Sequence, residues 1–87
     1  MPNIKFTEKA WEDYLYWQTQ DKKTIKKINQ LLKDIIGNGS DGVGKSELLK
    51  YGKSGFLSRR IDEVNRLVYK INGEDIDVVQ CRSHYDD

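Results

Sequence analysis

Residues 56–83 have the sequence FLSRRIDEVNRLVYKINGEDIDVVQCRS, and this stretch decides the fold. It predicts three strands, at Phe56 to Ile61, Val64 to Ile71 and Ile76 to Ser83, because β-branched and aromatic residues recur between short polar breaks. The Asn72-Gly73-Glu74 break is typical of a tight hairpin turn. We therefore expect a mostly antiparallel sheet.

Upstream of these strands, the apolar residues follow helical spacing. After a short strand at Ile4 to Phe6, Thr7 is expected to cap a first helix, and a second helix is expected from Asp21 to about Ile36, with Gly37 as its stop. Two helices ahead of antiparallel strands predict an α+β domain. In this fold, we expect the N-terminal strand and the two-helix hairpin to pack on a mostly antiparallel sheet, with the helices covering one face of it.

A chain of 87 residues is too short to bury two separate cores, so we expect one domain over residues 1–87. No apolar run is long enough for a signal peptide or a membrane helix, which favours a cytoplasmic protein without a membrane partner. The single cysteine, Cys81, cannot form an internal disulfide and is expected to pack in the core.

The charge is unevenly distributed along the chain. The formal net charge is only +1, but residues 45–70 contain seven basic and three acidic side chains, a local charge of +4. A phosphate backbone would be attracted to such a segment.

One sequence pattern points to a nucleotide site but stands in the wrong context. Residues 39–46, GSDGVGKS, match the phosphate-binding pattern G-x-x-x-x-G-K-[ST]. That pattern works between a buried strand and a helix, whereas here it follows a helix and precedes further glycines. A flexible glycine-rich loop is the better interpretation.

The polar residues suit the cleavage of RNA. One histidine and one cysteine cannot build the usual zinc site, and no cofactor is expected. The 2′-hydroxyl of RNA attacks the adjacent phosphate when a base removes its proton, cations stabilise the added charge, and an acid protonates the leaving oxygen. The candidates for these roles are Glu47, Lys50, Arg59, Arg60, Arg66, Arg82, His84 and Tyr85.

Strand periodicity separates the two adjacent arginines. Ser58 and Arg60 share one face of the strand, while Arg59 joins the apolar residues on the other, so Arg60 is the better candidate. Ordinary roles also fit these residues: Glu47 as a surface acid, the arginines as cross-strand ion-pair partners, and His84 as a solvated residue near the terminus. Residue types alone therefore leave both an RNA enzyme and a basic RNA-binding module open.

Six stretches, taken in order, resemble the YoeB toxins of the RelE/ParE superfamily, with its RelE-like microbial ribonuclease architecture. They are WEDYLYWQ at 11–18, DKKTIKKIN at 21–29, GKSELLK at 44–50, SGFLSRRI at 54–61, RLVY at 66–69 and CRSHY at 81–85. The resemblance covers nearly the whole chain.

The resemblance implies a toxin of a type II toxin-antitoxin system that cuts mRNA in the ribosomal A site without a metal ion. It implies that Glu47 is the general base, His84 the general acid, and Arg66 the residue that stabilises the pentacoordinate phosphate. Lys50 and Arg60 would bind RNA phosphates, and Tyr85 would position a base.

The same resemblance implies three partners: the 70S ribosome with its mRNA, a YefM/Phd-like antitoxin whose C-terminal segment covers the active site, and a second copy of the chain in a homodimer. The alternative within the superfamily is a ParE-like gyrase inhibitor that acts by binding alone.

The chain departs from the family pattern at three places, one of which is the pair of extra acids, Asp86 and Asp87, that follows Tyr85. The usual P-E-P-L-K around the carboxylate is Ser46-Glu47-Leu48-Leu49-Lys50, without either proline. A frequent histidine before the second arginine is Asn65, which leaves His84 as the only imidazole.

Overall fold

The computed structural model describes residues 3–38, 47–48 and 55–82, with the backbone alone at 38 and at 47–48. Within these ranges, two helices pack against a five-stranded sheet with strand order β1-β5-β4-β3-β2. β1 runs parallel to β5, and the other neighbours are antiparallel. The predicted α+β fold is confirmed. The elements in chain order are β1 (Ile4–Phe6), α1 (Glu8–Gln20), α2 (Lys22–Asn38), β2 (Glu47–Leu48), β3 (Phe56–Arg60), β4 (Arg66–Asn72) and β5 (Asp75–Gln80).

Both predicted helix caps are confirmed. The Thr7 hydroxyl accepts a hydrogen bond from the Ala10 amide at 3.2 Å, and the Asp21 carboxylate accepts from the amides of Lys23 and Thr24. These bonds satisfy amides that have no partner inside the helix.

The prediction that Gly37 stops the second helix is wrong, because α2 continues through Gly37 to Asn38. A glycine ends a helix when it adopts a positive φ, and in the described residues the glycines that do so are Gly55 and Gly73. Inside a helix, glycine lowers the stability of the helix by only about 1 kcal/mol relative to alanine, and favourable interactions in the neighbouring turns can offset this loss.

The strands begin and end close to their predicted positions. β4 begins at Arg66 rather than Val64, because the intervening residues form a hydrogen-bonded turn, and β5 ends at Gln80 rather than Ser83. The predicted hairpin turn is confirmed: Asn72 pairs with Asp75, and Gly73 takes a φ of 65° between them.

The core lies between the helices and one face of the sheet, here called the inner face. It contains Ala10 from α1, Ile28, Leu31, Leu32 and Ile35 from α2, and Ile61, Leu67, Tyr69, Ile76, Val78 and Cys81 from the sheet region. Within the described ranges, neither helix is long and apolar enough to cross a membrane.

A buried ion pair joins α2 to the sheet. Arg59 on β3 is only 1% exposed, and its guanidinium donates a hydrogen bond to the carboxylate of Asp34. Hydrogen bonds and charge interactions with Asp34 and Tyr69 raise the pKa of Arg59 despite the opposing effect of burial. Arg59 is thus part of the core, as the strand period predicted.

Cys81 is fully buried, as predicted, and burial raises the pKa of its thiol to about 12. The thiolate is the reactive form, so we expect native protein at pH 8 to react negligibly with a thiol reagent. Unfolding in urea should expose the only cysteine of the chain. A chromogenic thiol reagent should then release one equivalent of its chromophore per protein chain. Rapid stoichiometric labelling of the native protein would contradict the buried placement.

Candidate functional site

The sheet has a second face, turned away from the two helices, which we call the outer face. In an antiparallel pair, residues directly opposite one another lie on the same face. Ser58 pairs with Val68, and Arg60 pairs with Arg66. Arg60 is exposed while its neighbour Arg59 is buried, which confirms the predicted separation of the two arginines.

Two arginines therefore stand side by side at one end of the outer face. Like charges directly opposite each other across two strands repel, and an anion bound between them relieves this repulsion. In β2, the backbone of Glu47 pairs with Ser58, two residues along β3 from Arg60. The register thus brings sequence positions 47, 60 and 66 into neighbouring cross-strand rows.

The guanidinium of Arg66 is held by the turn between β3 and β4. Its Nη1 donates to the backbone carbonyl of Asp62 at 2.9 Å and to that of Asn65 at 3.2 Å. The Asp62 carboxylate in turn accepts from the amides of Val64 and Asn65 at 2.8 and 2.7 Å. Arg66 therefore has a supported position rather than a freely rotating one.

The charge of Asp62 follows from these contacts. Burial alone would raise its pKa, but the hydrogen bonds from Asn65 and Val64 and the charge of Arg66 lower the pKa below the usual value for an aspartate. Asp62 is consequently ionised at neutral pH.

An open depression of about 330 Å³ lies farther along the outer face. Lys5 and Lys70 lie on either side of Asp77 in the cross-strand register, and the Lys70 ammonium lies 5.6 Å from the centre of the Phe56 ring. Cations next to an aromatic ring suit the phosphates and bases of a nucleic acid. Sequence reasoning counted Lys70 only within the basic segment 45–70 and named neither lysine as a site residue, although strand alternation from Arg66 would have placed Lys70 on this face.

The chain that leads to His84 is attached to α1. The Trp17 indole donates to the carbonyl of Cys81 at 2.8 Å, and the Cys81 amide donates to the Asp13 carboxylate at 3.1 Å. The next residue, Arg82, stacks over the ring of Tyr16 at 3.6 Å. Arg82 therefore packs on α1 rather than joining the pair of arginines on the outer face.

The predicted site residues divide into two groups. The structure brings Arg60 and Arg66 together and gives the backbone position of Glu47. Lys50, His84 and Tyr85 lie outside the described residues. In the described ranges, no group of three or more histidine, cysteine or acidic side chains is arranged to hold a metal ion.

Comparison with known proteins identifies the family. Residues 6–85 match the family model described as YoeB-like toxin of bacterial type II toxin-antitoxin system. The chain belongs to this family. It is 49% identical to the toxin YoeB of Escherichia coli K12 over 80 residues, which cover 92% of this chain and 95% of the relative.

Solved YoeB structures have the same fold. The YoeB-YefM toxin-antitoxin complex from Staphylococcus aureus, a heterotetramer, contains a chain that matches with a TM-score of 0.90 and 48% identity, over 98% of this chain and 99% of that one. The YoeB dimer from the same organism matches with a TM-score of 0.90 and 48% identity, over 97% and 98% of the two chains. The resemblance of the sequence to YoeB toxins is confirmed.

Proposed function

We propose that this YoeB-like toxin is a ribosome-dependent, metal-independent endoribonuclease that cuts mRNA in the ribosomal A site and so inhibits translation. The observation that carries the proposal is the pair Arg60 and Arg66, directly opposite one another on the outer face, in the row next to the backbone position of Glu47. Two adjacent cations suit the extra negative charge of a phosphodiester under attack.

The chemistry assigns one step to each residue. Glu47 removes the proton from the 2′-hydroxyl, whose oxygen forms a bond to the adjacent phosphorus. Arg66 stabilises the pentacoordinate phosphate. The bond from phosphorus to the 5′ oxygen then breaks, and His84 gives that oxygen its proton. The products are a 2′,3′-cyclic phosphate and a 5′-hydroxyl.

The remaining proposed contacts bind RNA. Lys50 and Arg60 hold phosphates of the mRNA or the rRNA, and Tyr85 stacks on or positions a base. The charge of the outer face supports this: among the strand positions that the register places on it, the basic residues Lys5, Arg60, Arg66 and Lys70 outnumber the acidic residues Glu47, Asp75 and Asp77.

The solved relatives support two protein partners for this chain. By analogy with the YoeB-YefM complex, it binds a YefM-like antitoxin, and by analogy with the YoeB dimer, it forms a homodimer. The resemblance of the sequence further implies that the C-terminal segment of the antitoxin covers the active site. Its action on ribosomes would place it in the cytoplasm.

The nature of the cut ends tests the chemistry. We incubate the protein with ribosomes that carry a defined mRNA and have an empty A site. Mass spectrometry should then detect one mRNA fragment that ends in a 2′,3′-cyclic phosphate and one that begins with a 5′-hydroxyl. Fragments with a 5′-phosphate would contradict attack by the 2′-hydroxyl. Intact mRNA together with inhibited DNA supercoiling by gyrase would favour the ParE-like alternative.

An Arg66→Lys variant tests the role of the guanidinium. Lysine keeps the positive charge but loses the planar fork of donors, so we expect a rate of cleavage about 10-fold to 100-fold lower. Single-turnover cleavage on programmed ribosomes measures this rate. Arg82→Lys is a matched control, since Arg82 stacks on Tyr16, and it should cleave at close to the wild-type rate. Wild-type cleavage by Arg66→Lys would contradict the assignment.

A further inference from the structure

The turn between β3 and β4 is held by a network of hydrogen bonds that also reaches the guanidinium of Arg66. The carbonyl of Asn65 accepts from the amides of Ile61 and Asp62 at 3.0 and 3.3 Å, and also from Nη1 of Arg66 at 3.2 Å. The Asn65 side-chain amide donates to both carboxylate oxygens of Asp62, at 3.2 and 3.0 Å. The Asp62 carboxylate thus holds the turn that supplies both carbonyl acceptors of Arg66.

Among the residues that the structure describes, these contacts leave one edge of the guanidinium for a ligand. Nη1 carries two hydrogens and has two carbonyl acceptors, those of Asp62 and Asn65. Within the described residues, Arg66 makes its hydrogen bonds through Nη1 alone. Nε and Nη2 carry parallel N–H groups on the opposite edge, which is the edge that binds two phosphate oxygens side by side.

We propose that Asp62 is a positioning residue for the reaction: its carboxylate holds the turn so that the Nε and Nη2 edge of Arg66 faces the scissile phosphate. This inference rests on the proposed ribonuclease function and extends it to a residue outside the catalytic set. Asn65, which replaces a histidine frequent in the family, completes the same turn through its side-chain amide.

Charge and geometry predict opposite effects for the loss of Asp62. A surface acid near a phosphate site repels RNA, so its removal should tighten binding or leave cleavage unchanged. A residue that orients Arg66 should instead lower the rate of the chemical step, because a small displacement of an oriented group is costly. The sign of the change therefore separates the two roles.

The test compares Asp62→Ala, Asp62→Asn and the control Glu63→Ala in single-turnover cleavage on programmed ribosomes. Glu63 is exposed, and its side chain makes no hydrogen bond to the described residues. Glu63→Ala therefore removes the same negative charge as Asp62→Ala but leaves the hydrogen bonds of the turn in place. We expect Asp62→Ala to cleave about 10-fold more slowly at saturation, with an unchanged or lower half-saturating concentration. Asp62→Asn keeps a side-chain acceptor for the turn amides and should recover most of the rate.

A double-mutant cycle with Arg66→Lys shows whether Asp62 acts through Arg66. If it does, Asp62→Ala should slow cleavage by the Arg66→Lys variant by less than 2-fold, because lysine lacks the Nε and Nη2 edge that Asp62 positions. Equal slowing in both backgrounds would overturn the inference, as would a wild-type rate for Asp62→Ala. Failure of the wild-type protein to cleave would instead overturn the proposed function, so the two failures are distinguishable.

Discussion

A His84→Gln variant is expected to cleave mRNA about 10² to 10⁴ times more slowly than the wild-type protein while binding ribosomes equally well. Glutamine has a similar reach and can donate a hydrogen bond, but it cannot transfer a proton to the departing 5′ oxygen. The chain has no second histidine to take over this role.

Three measurements check this expectation. Single-turnover cleavage on programmed ribosomes gives the rate. Co-sedimentation with ribosomes reports binding, and growth after induction of the variant reports toxicity. Ser83→Ala, a change at the neighbouring polar residue that has no proposed role, serves as the control and should remain toxic. Full toxicity of His84→Gln would contradict the assignment of His84 as the general acid.

An Asp34→Ala variant is expected to lose about 3 to 5 kcal/mol of unfolding free energy. The guanidinium of Arg59 is almost fully buried, and without Asp34 its charge has lost the carboxylate that compensates it. Replacing both residues, as Asp34→Leu with Arg59→Met, should cost much less, because no uncompensated charge is then left in the core.

Urea denaturation followed by tryptophan fluorescence measures these changes. The ion pair between the exposed Lys5 and the half-buried Asp75, with its nitrogen and oxygen 3.1 Å apart, supplies the control. Lys5→Ala should change stability by no more than about 1 kcal/mol, since solvent screens exposed pairs. A loss below 1 kcal/mol for Asp34→Ala would contradict the structural role of the buried pair.

Local patterns predicted most of the elements and the faces of the strands. The hydroxyl of Thr7 and the carboxylate of Asp21 bond to amides two or three residues away, so their roles as caps were predictable from neighbouring residues. Strand alternation placed Arg59 and Arg60 on opposite faces. Gly37 failed as a helix stop because its effect depends on φ, which sequence alone does not determine.

The contacts that support the site depend on distant residues or on backbone atoms. Asp34 precedes Arg59 by 25 residues, and no local pattern links them. The bonds that hold Arg66 go to carbonyl oxygens, which any residue at positions 62 and 65 would supply. The attachment of Cys81 to Asp13 and Trp17 joins opposite ends of the chain and likewise has no sequence signal.

Primer extension on an mRNA translated with and without the protein tests the proposed ribonuclease function most directly. The proposal predicts new ends at a fixed position within codons near the start of the message. These ends should be absent when the same mRNA is incubated with the protein but without ribosomes. An intact transcript in the presence of active, growth-inhibiting protein would contradict it.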